Sequence, residues 1–150
     1  YLKNGGFADI IGENKTVLRE QTIADSKFDF LAGDVYLEVK TPLQTLQVDY
    51  PDYIKLKKPS PFSSTGRFTK HMAQLGESLA DHQKAVLLVC FLYDNPGFKV
   101  INRSTNYETV RRTVDSSAAK GVEIWQANFK ITPTCVTLEK HFRLRLEDFE

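Results

Sequence analysis

The chain has 150 residues, 41% of them hydrophobic and 26% charged, with a formal net charge of +1. That length fits one domain, 1–150, with a core of its own, and the composition excludes a disordered or fibrous class. The near-neutral charge excludes a strongly basic body, so any nucleic-acid contact rests on local patches.

The longest apolar run, Ala85 to Tyr93, has nine residues and is too short to span a bilayer, so no membrane partner is expected. No signal peptide is visible. The two cysteines, Cys90 in that run and Cys135, form no CxxC, which fits a reduced cytoplasmic setting with Cys90 as a small buried hydrophobe. The chain begins at Tyr1 without a methionine, as a fragment of something longer would. Internal repeats, low-complexity tracts, a glycine-rich phosphate loop and a Ser/His/Asp spacing are all absent.

Residues 1–14 hold Gly5-Gly6 and an apolar patch of Phe7, Ala8, Ile10 and Ile11, either a short helical turn or an irregular lead-in. Thr16 to Ile23 reads as a strand entering a hairpin. Within it Glu20 is either a third acidic ligand or a solvent-facing glutamate beside Arg19.

The hairpin runs from Ser26 to Lys40 around Gly33-Asp34, a Gly-X pair between alternating apolar runs. Counting outward from the turn, Ala32 opposes Val35, Leu31 opposes Tyr36, Phe30 opposes Leu37, Asp29 opposes Glu38, and Lys27 opposes Lys40. One face then carries Lys27, Asp29, Glu38 and Lys40, and the other Phe28, Phe30, Leu37 and Val39. Two carboxylates directly opposite each other sit roughly 5 Å apart at Cβ and repel. A divalent cation would offset them, since hard cations take carboxylate oxygens and keep exchangeable waters. Lys40 would then steady an attacking water or the charge developing on a phosphate. The same pattern also suits the solvated face of an amphipathic sheet.

From Thr41 to Thr65 periodicity is lost, four prolines gather, and Lys55, Lys57 and Lys58 cluster near Tyr50, Tyr53 and Phe62. This long loop either covers a polyanion and stacks on bases or is a solvated insertion. A helix is expected from about Arg67 to Asp81, with Ser64 or Thr65 as N-cap and Phe68, Met72, Leu75 and Leu79 as its core stripe. Arg67, Lys70, His71, Gln74 and Ser78 line an adjacent stripe, suited to a phosphate near the helix start or simply to solvent. Because neither His82 nor His141 lies at metal-binding spacing from it, His71 is expected to make a phosphate contact or a hydrogen bond rather than ligate a metal.

Lys84 to Tyr93 reads as a central strand covered on both faces, completing a strand-helix-strand crossover. A second helix is expected over 106–120, with Thr105 and Glu108 as a capping box, Gly121 ending it, and Tyr107, Val110, Val114 and Ala118 buried. Val122 to Ile131 reads as another strand with Trp125 in the core. The alternating tail, with Phe142, Leu144 and Leu146, reads as a late edge strand.

This order of acidic hairpin, E-x-K strand, basic helix, apolar strand, helix and strand resembles the PD-(D/E)xK nuclease superfamily. More closely, it resembles the catalytic-type domain of the sugar fermentation stimulation protein A family. The matching residues are Arg19-Glu20, Ser26-Lys27-Phe28-Asp29-Phe30, Tyr36-Leu37-Glu38-Val39-Lys40, Gly66-Arg67 with Lys70-His71, Ala85-Val86-Leu87-Leu88 and Gly121-Val122-Glu123-Ile124. The resemblance implies a restriction-endonuclease-like α/β fold, a mixed sheet flanked by helices, together with nucleic-acid binding and a metal-dependent phosphodiesterase site. It implies Asp29 and Glu38 as ligands for Mg2+ or Mn2+, Glu20 as a further acidic partner, Lys40 as the catalytic lysine, and Arg67, Lys70 and His71 as the basic helix start. The family's small N-terminal OB-like domain has no counterpart here, and the loop between Lys40 and Gly66 departs from the family pattern.

Three functions are therefore carried forward. The first is a Mg2+- or Mn2+-dependent nuclease that grips the phosphate backbone, with Lys55, Lys57 and Lys58 adding to the contact and DNA favoured over RNA. The second is a non-cleaving DNA-binding transcriptional regulator of sugar metabolism, and the third a protein-interaction domain. Homo-oligomerisation stays open.

Overall fold

The computed structural model describes residues 1–23, 25–42, 53, 65–98 and 106–145. A short 3-10 helix at Leu2–Asn4 leads into α1 (Ala8–Ile11), then β1 (Val17–Ile23), β2 (Ser26–Ala32), β3 (Val35–Lys40), α2 (Thr65–Ser78), β4 (Lys84–Phe91), α3 (Tyr107–Ala119), β5 (Glu123–Ile131) and β6 (Val136–Arg143). The six strands form one sheet whose spatial order follows the chain. β1, β2 and β3 meander antiparallel; β3, β4 and β5 run parallel through the α2 and α3 crossovers; β6 returns antiparallel. This is the mixed sheet flanked by helices that the sequence implied.

Burial explains the layering. Every residue of β4 from Ala85 to Phe91 is buried, as a parallel strand covered on both faces requires. On one face Ala85, Leu87, Val89 and Phe91 pack with Phe68, Met72 and Leu75 of α2 and Val114 of α3. On the other, Val86, Leu88 and Cys90 pack with Phe7, Ile10 and Ile11, so the N-terminal lead-in is a short helix that closes the second core. The two long helices meet where Ser117 Oγ donates to the Met72 carbonyl at 2.8 Å. Gly76 permits that approach, because a Cβ there would lie 3.0 Å from Lys120 Cδ.

The hairpin register is as read for its first three pairs, Ala32 with Val35, Leu31 with Tyr36 and Phe30 with Leu37 around Gly33 at φ 60°, but the ladder stops there: the expected pairs of Asp29 with Glu38 and Lys27 with Lys40 are not formed. One residue departs from the expected faces. Phe28 packs on Tyr36 and His71, on the α2 side with Glu38, not with Phe30 and Leu37. The change of face coincides with an irregularity in the neighbouring strand, where Glu20 adopts φ 52° and the β1–β2 pairing is interrupted opposite Asp29. A left-handed residue re-aims a strand locally, and strict alternation ends there.

α3 starts one residue later than expected, with Asn106 at its N-cap and no side-chain cap hydrogen bond; Thr105 lies outside the described residues. Ser117 rather than Ala118 joins Val114 as its buried face. Trp125 is half-buried in the second core and donates its indole N–H to Glu123 Oε2 at 2.8 Å.

Candidate active site

β3 carries Glu38 and Lys40 to the α2 face of the sheet, in register with Leu87 and Val89 of β4 in the first core. Glu38 is therefore only 2% exposed, an expensive place for a carboxylate unless it is paired. Lys40 supplies one partner, its ammonium contacting Glu38 Oε1, and His71 on α2 supplies the other, with Nδ1 donating to the same oxygen at 2.5 Å. The accepting carboxylate assigns the proton to Nδ1. Glu38 Oε2 is buried with no hydrogen-bond partner among the described residues.

Asp29 is held differently. The β2–β3 ladder reaches Phe30 and Leu37, and beyond it the Asp29 carboxylate accepts the Val39 N–H at 2.7 Å. A side chain thus replaces a backbone carbonyl and fixes Asp29 against the residue that follows Glu38. Its charge also reaches Cys90, whose thiol is pushed up to about 12, first by burial and then by Asp29. Cys90 is a neutral core residue. The two carboxylates are therefore held separately, Asp29 by the Val39 amide and Glu38 by the Lys40 ammonium and the His71 imidazole.

Glu20 is not drawn into this group. It sits at the surface, paired with Lys27 at 3.1 Å. Among the described residues no cluster of three or more His, Cys, Asp or Glu side chains stands at metal-binding distances.

On α2, Lys70 and Arg67 are exposed, whereas His71 is 5% exposed and turned inward, taking the hydrogen-bonded of its two expected roles. Lys70 Nζ and Gln74 Nε2 both hold the Asp25 carboxylate, at 2.7 and 2.6 Å, which keeps Asp25 below the usual carboxylate range. The helix face read as a phosphate site therefore already grips an anion of the chain itself. Gln74 Oε1, one turn from His71, is the other buried side-chain acceptor without a partner among the described residues. Lys55, Lys57 and Lys58 lie outside the described residues; Tyr53 is exposed.

A second polar cluster was not anticipated. Gln126 and Asn128 of β5 and Asn95 after β4 are fully buried. Gln126 accepts the Phe98 N–H at 2.7 Å and donates to Asn95 O and Asn128 Oδ1 at 2.9 and 2.8 Å. Asn128 donates to Asn95 O at 2.6 Å and to Asp94 Oδ1 at 3.1 Å, while Asp94 also pairs with Lys140. Alternation in β5 places Gln126 and Asn128 on one face with Ile124, a signal that those two positions carry buried amides.

The family model for the sugar fermentation stimulation protein RE domain (SfsA) matches residues 1–135. The chain belongs to the SfsA family. The solved structure of Pyrococcus furiosus SfsA in complex with Ca2+ is similar in fold, with a TM-score of 0.68 and 16% identity. The likeness covers 94% of this chain and 59% of that one, so the chain spans less than two thirds of that family member's length. No curated protein matches this chain. No helix among the described residues is long and apolar enough to cross a membrane.

Proposed function

We propose that the chain binds nucleic acid and hydrolyses phosphodiester bonds with Mg2+ or Mn2+, with DNA the favoured substrate. The observation that carries this reading is Glu38 Oε2, a buried carboxylate oxygen to which none of the described residues donates. An unmet buried acceptor costs about 1–3 kcal/mol. Evolution rarely retains such a cost without use, and a hard cation is the natural partner for that oxygen.

The donor set fits such an ion. Asp29 and Glu38 are the residues that would hold it, both oxygen donors and both fixed by their own hydrogen bonds. The bound ion would supply Lewis acidity and a more acidic water. Of the two partners of Glu38 among the described residues, Lys40, 19% exposed, is the one with access to solvent, and it is suited to orient a nucleophile or neutralise a phosphorane oxygen. Arg67 and Lys70 lie on the exposed flank of α2, placed to grip the phosphate backbone. Ca2+ in the Pyrococcus furiosus complex is a cation of the same oxygen-seeking class.

Cleavage of single- and double-stranded DNA and RNA is to be followed with Mg2+, Mn2+ or EDTA. Glu38→Gln should lower metal-dependent cleavage by on the order of a thousandfold while leaving nucleic-acid binding in place. Undiminished cleavage by that variant would reject the reading. The second reading is a regulator that binds DNA without turnover, and the ion pair between Lys40 and Glu38 is the observation for it: a lysine that keeps this pair when DNA is bound does not reach substrate. Salt-sensitive binding with no product under any metal would select it.

A further inference from the structure

Among the described residues, Glu38 Oε1 receives two donors and Oε2 none. A carboxylate has room for about four acceptor contacts, so crowding both donors onto one oxygen is a choice of geometry. The two donors are not equivalent. Lys40 sits on a flexible stem and is partly exposed, free to turn toward a phosphate or a water. His71 is locked: its ring packs 5.6 Å from the ring of fully buried Phe28, and its helix neighbours Phe68, Met72 and Leu75 are core residues.

The reading above asks Lys40 to leave Glu38 for substrate. When it does, His71 is the partner among the described residues that keeps Oε1 occupied and stops the carboxylate from rotating. We infer that His71 is the positioning residue of this site, dedicating Glu38 Oε2 to the cation and holding it there while Lys40 works on substrate. This rests on the metal-dependent reading. Outer partners that orient a ligating group in this way are typically worth about 10–100-fold in metal affinity.

The test measures Mn2+ affinity of the full chain by calorimetry, with a thermal melt of each variant alongside. His71→Asn places an amide N–H close to the position of Nδ1 and should bind Mn2+ much as the parent does. His71→Gln, whose amide lies one bond farther out, and His71→Leu, which fills the space without a donor, should each weaken binding by about tenfold or more. Lys40→Met should bind Mn2+ nearly as well as the parent, although it loses cleavage. A purely structural role for His71 would move the melts of His71→Gln and His71→Leu and leave their Mn2+ affinity at the parent value. That result, with Glu38→Gln abolishing binding, would overturn the positioning role and spare the metal site. A larger loss of affinity in Lys40→Met than in His71→Gln would also overturn it. Parent-like Mn2+ affinity in Glu38→Gln would instead remove the metal site, and this inference with it.

Discussion

Two buried polar clusters share the α2 and α3 face of the sheet, only one strand apart, since Val89 lies between Lys40 of β3 and Gln126 of β5. The Gln126 cluster closes on itself: each of its buried side-chain nitrogens and oxygens has a partner, and together they pin the segment 94–98 to β5. The Glu38 cluster does not close, because Oε2 is left over. A satisfied network fixes one structure, whereas buried acceptors left without a partner among the described residues, here Glu38 Oε2 and Gln74 Oε1, are exceptions that call for an explanation. We read the first as a structural cluster and the second as the candidate functional one.

The largest expected effect is the loss of metal-dependent cleavage in Glu38→Gln, which should leave the melting temperature far less changed than the activity. Gln126→Leu is the mirror experiment. It leaves the Phe98 N–H and the Asn128 carbonyl without their partners, at about 3 kcal/mol. In a domain of this size that corresponds to a fall of roughly 6–12 °C in melting temperature, measured by circular dichroism. Mn2+ affinity of the folded fraction should be untouched. If Gln126→Leu lowered Mn2+ affinity as much as Glu38→Gln, the division between the two clusters would fail.

The smallest effect lies outside both clusters. Asp25 occupies the Lys70 and Gln74 donors in an exposed setting, and such pairs are worth little in water. Lys70→Ala should weaken DNA binding a few-fold and flatten its salt dependence, whereas Asp25→Asn should strengthen it, both read by fluorescence anisotropy across a salt series. Unchanged affinity in both variants would remove α2 from the binding surface.

Much of this was legible in the sequence because it is local. Gly33-Asp34 set the hairpin register, and the E-V-K spacing put Glu38 and Lys40 on one face. Helical spacing likewise gave the Phe68, Met72 and Leu75 stripe. What escaped is non-local or depends on a backbone exception. The facing of Phe28 coincides with the left-handed conformation of Glu20, which no periodicity announces in a non-glycine residue. Gln126, Asn128 and Asn95 find one another across about thirty residues of chain, and the bond from His71 to Glu38 spans 33. Spacing rules see a histidine on a helix; only the packed structure shows that it faces a carboxylate.

The most direct test is a crystal of the full chain soaked in Mn2+, with the ion located by its anomalous signal. The expected result is a peak about 2–2.5 Å from Glu38 Oε2, with His71 Nδ1 still on Oε1. A peak bound elsewhere, or none near Glu38 at saturating Mn2+, would contradict the claim that this oxygen is kept for a metal.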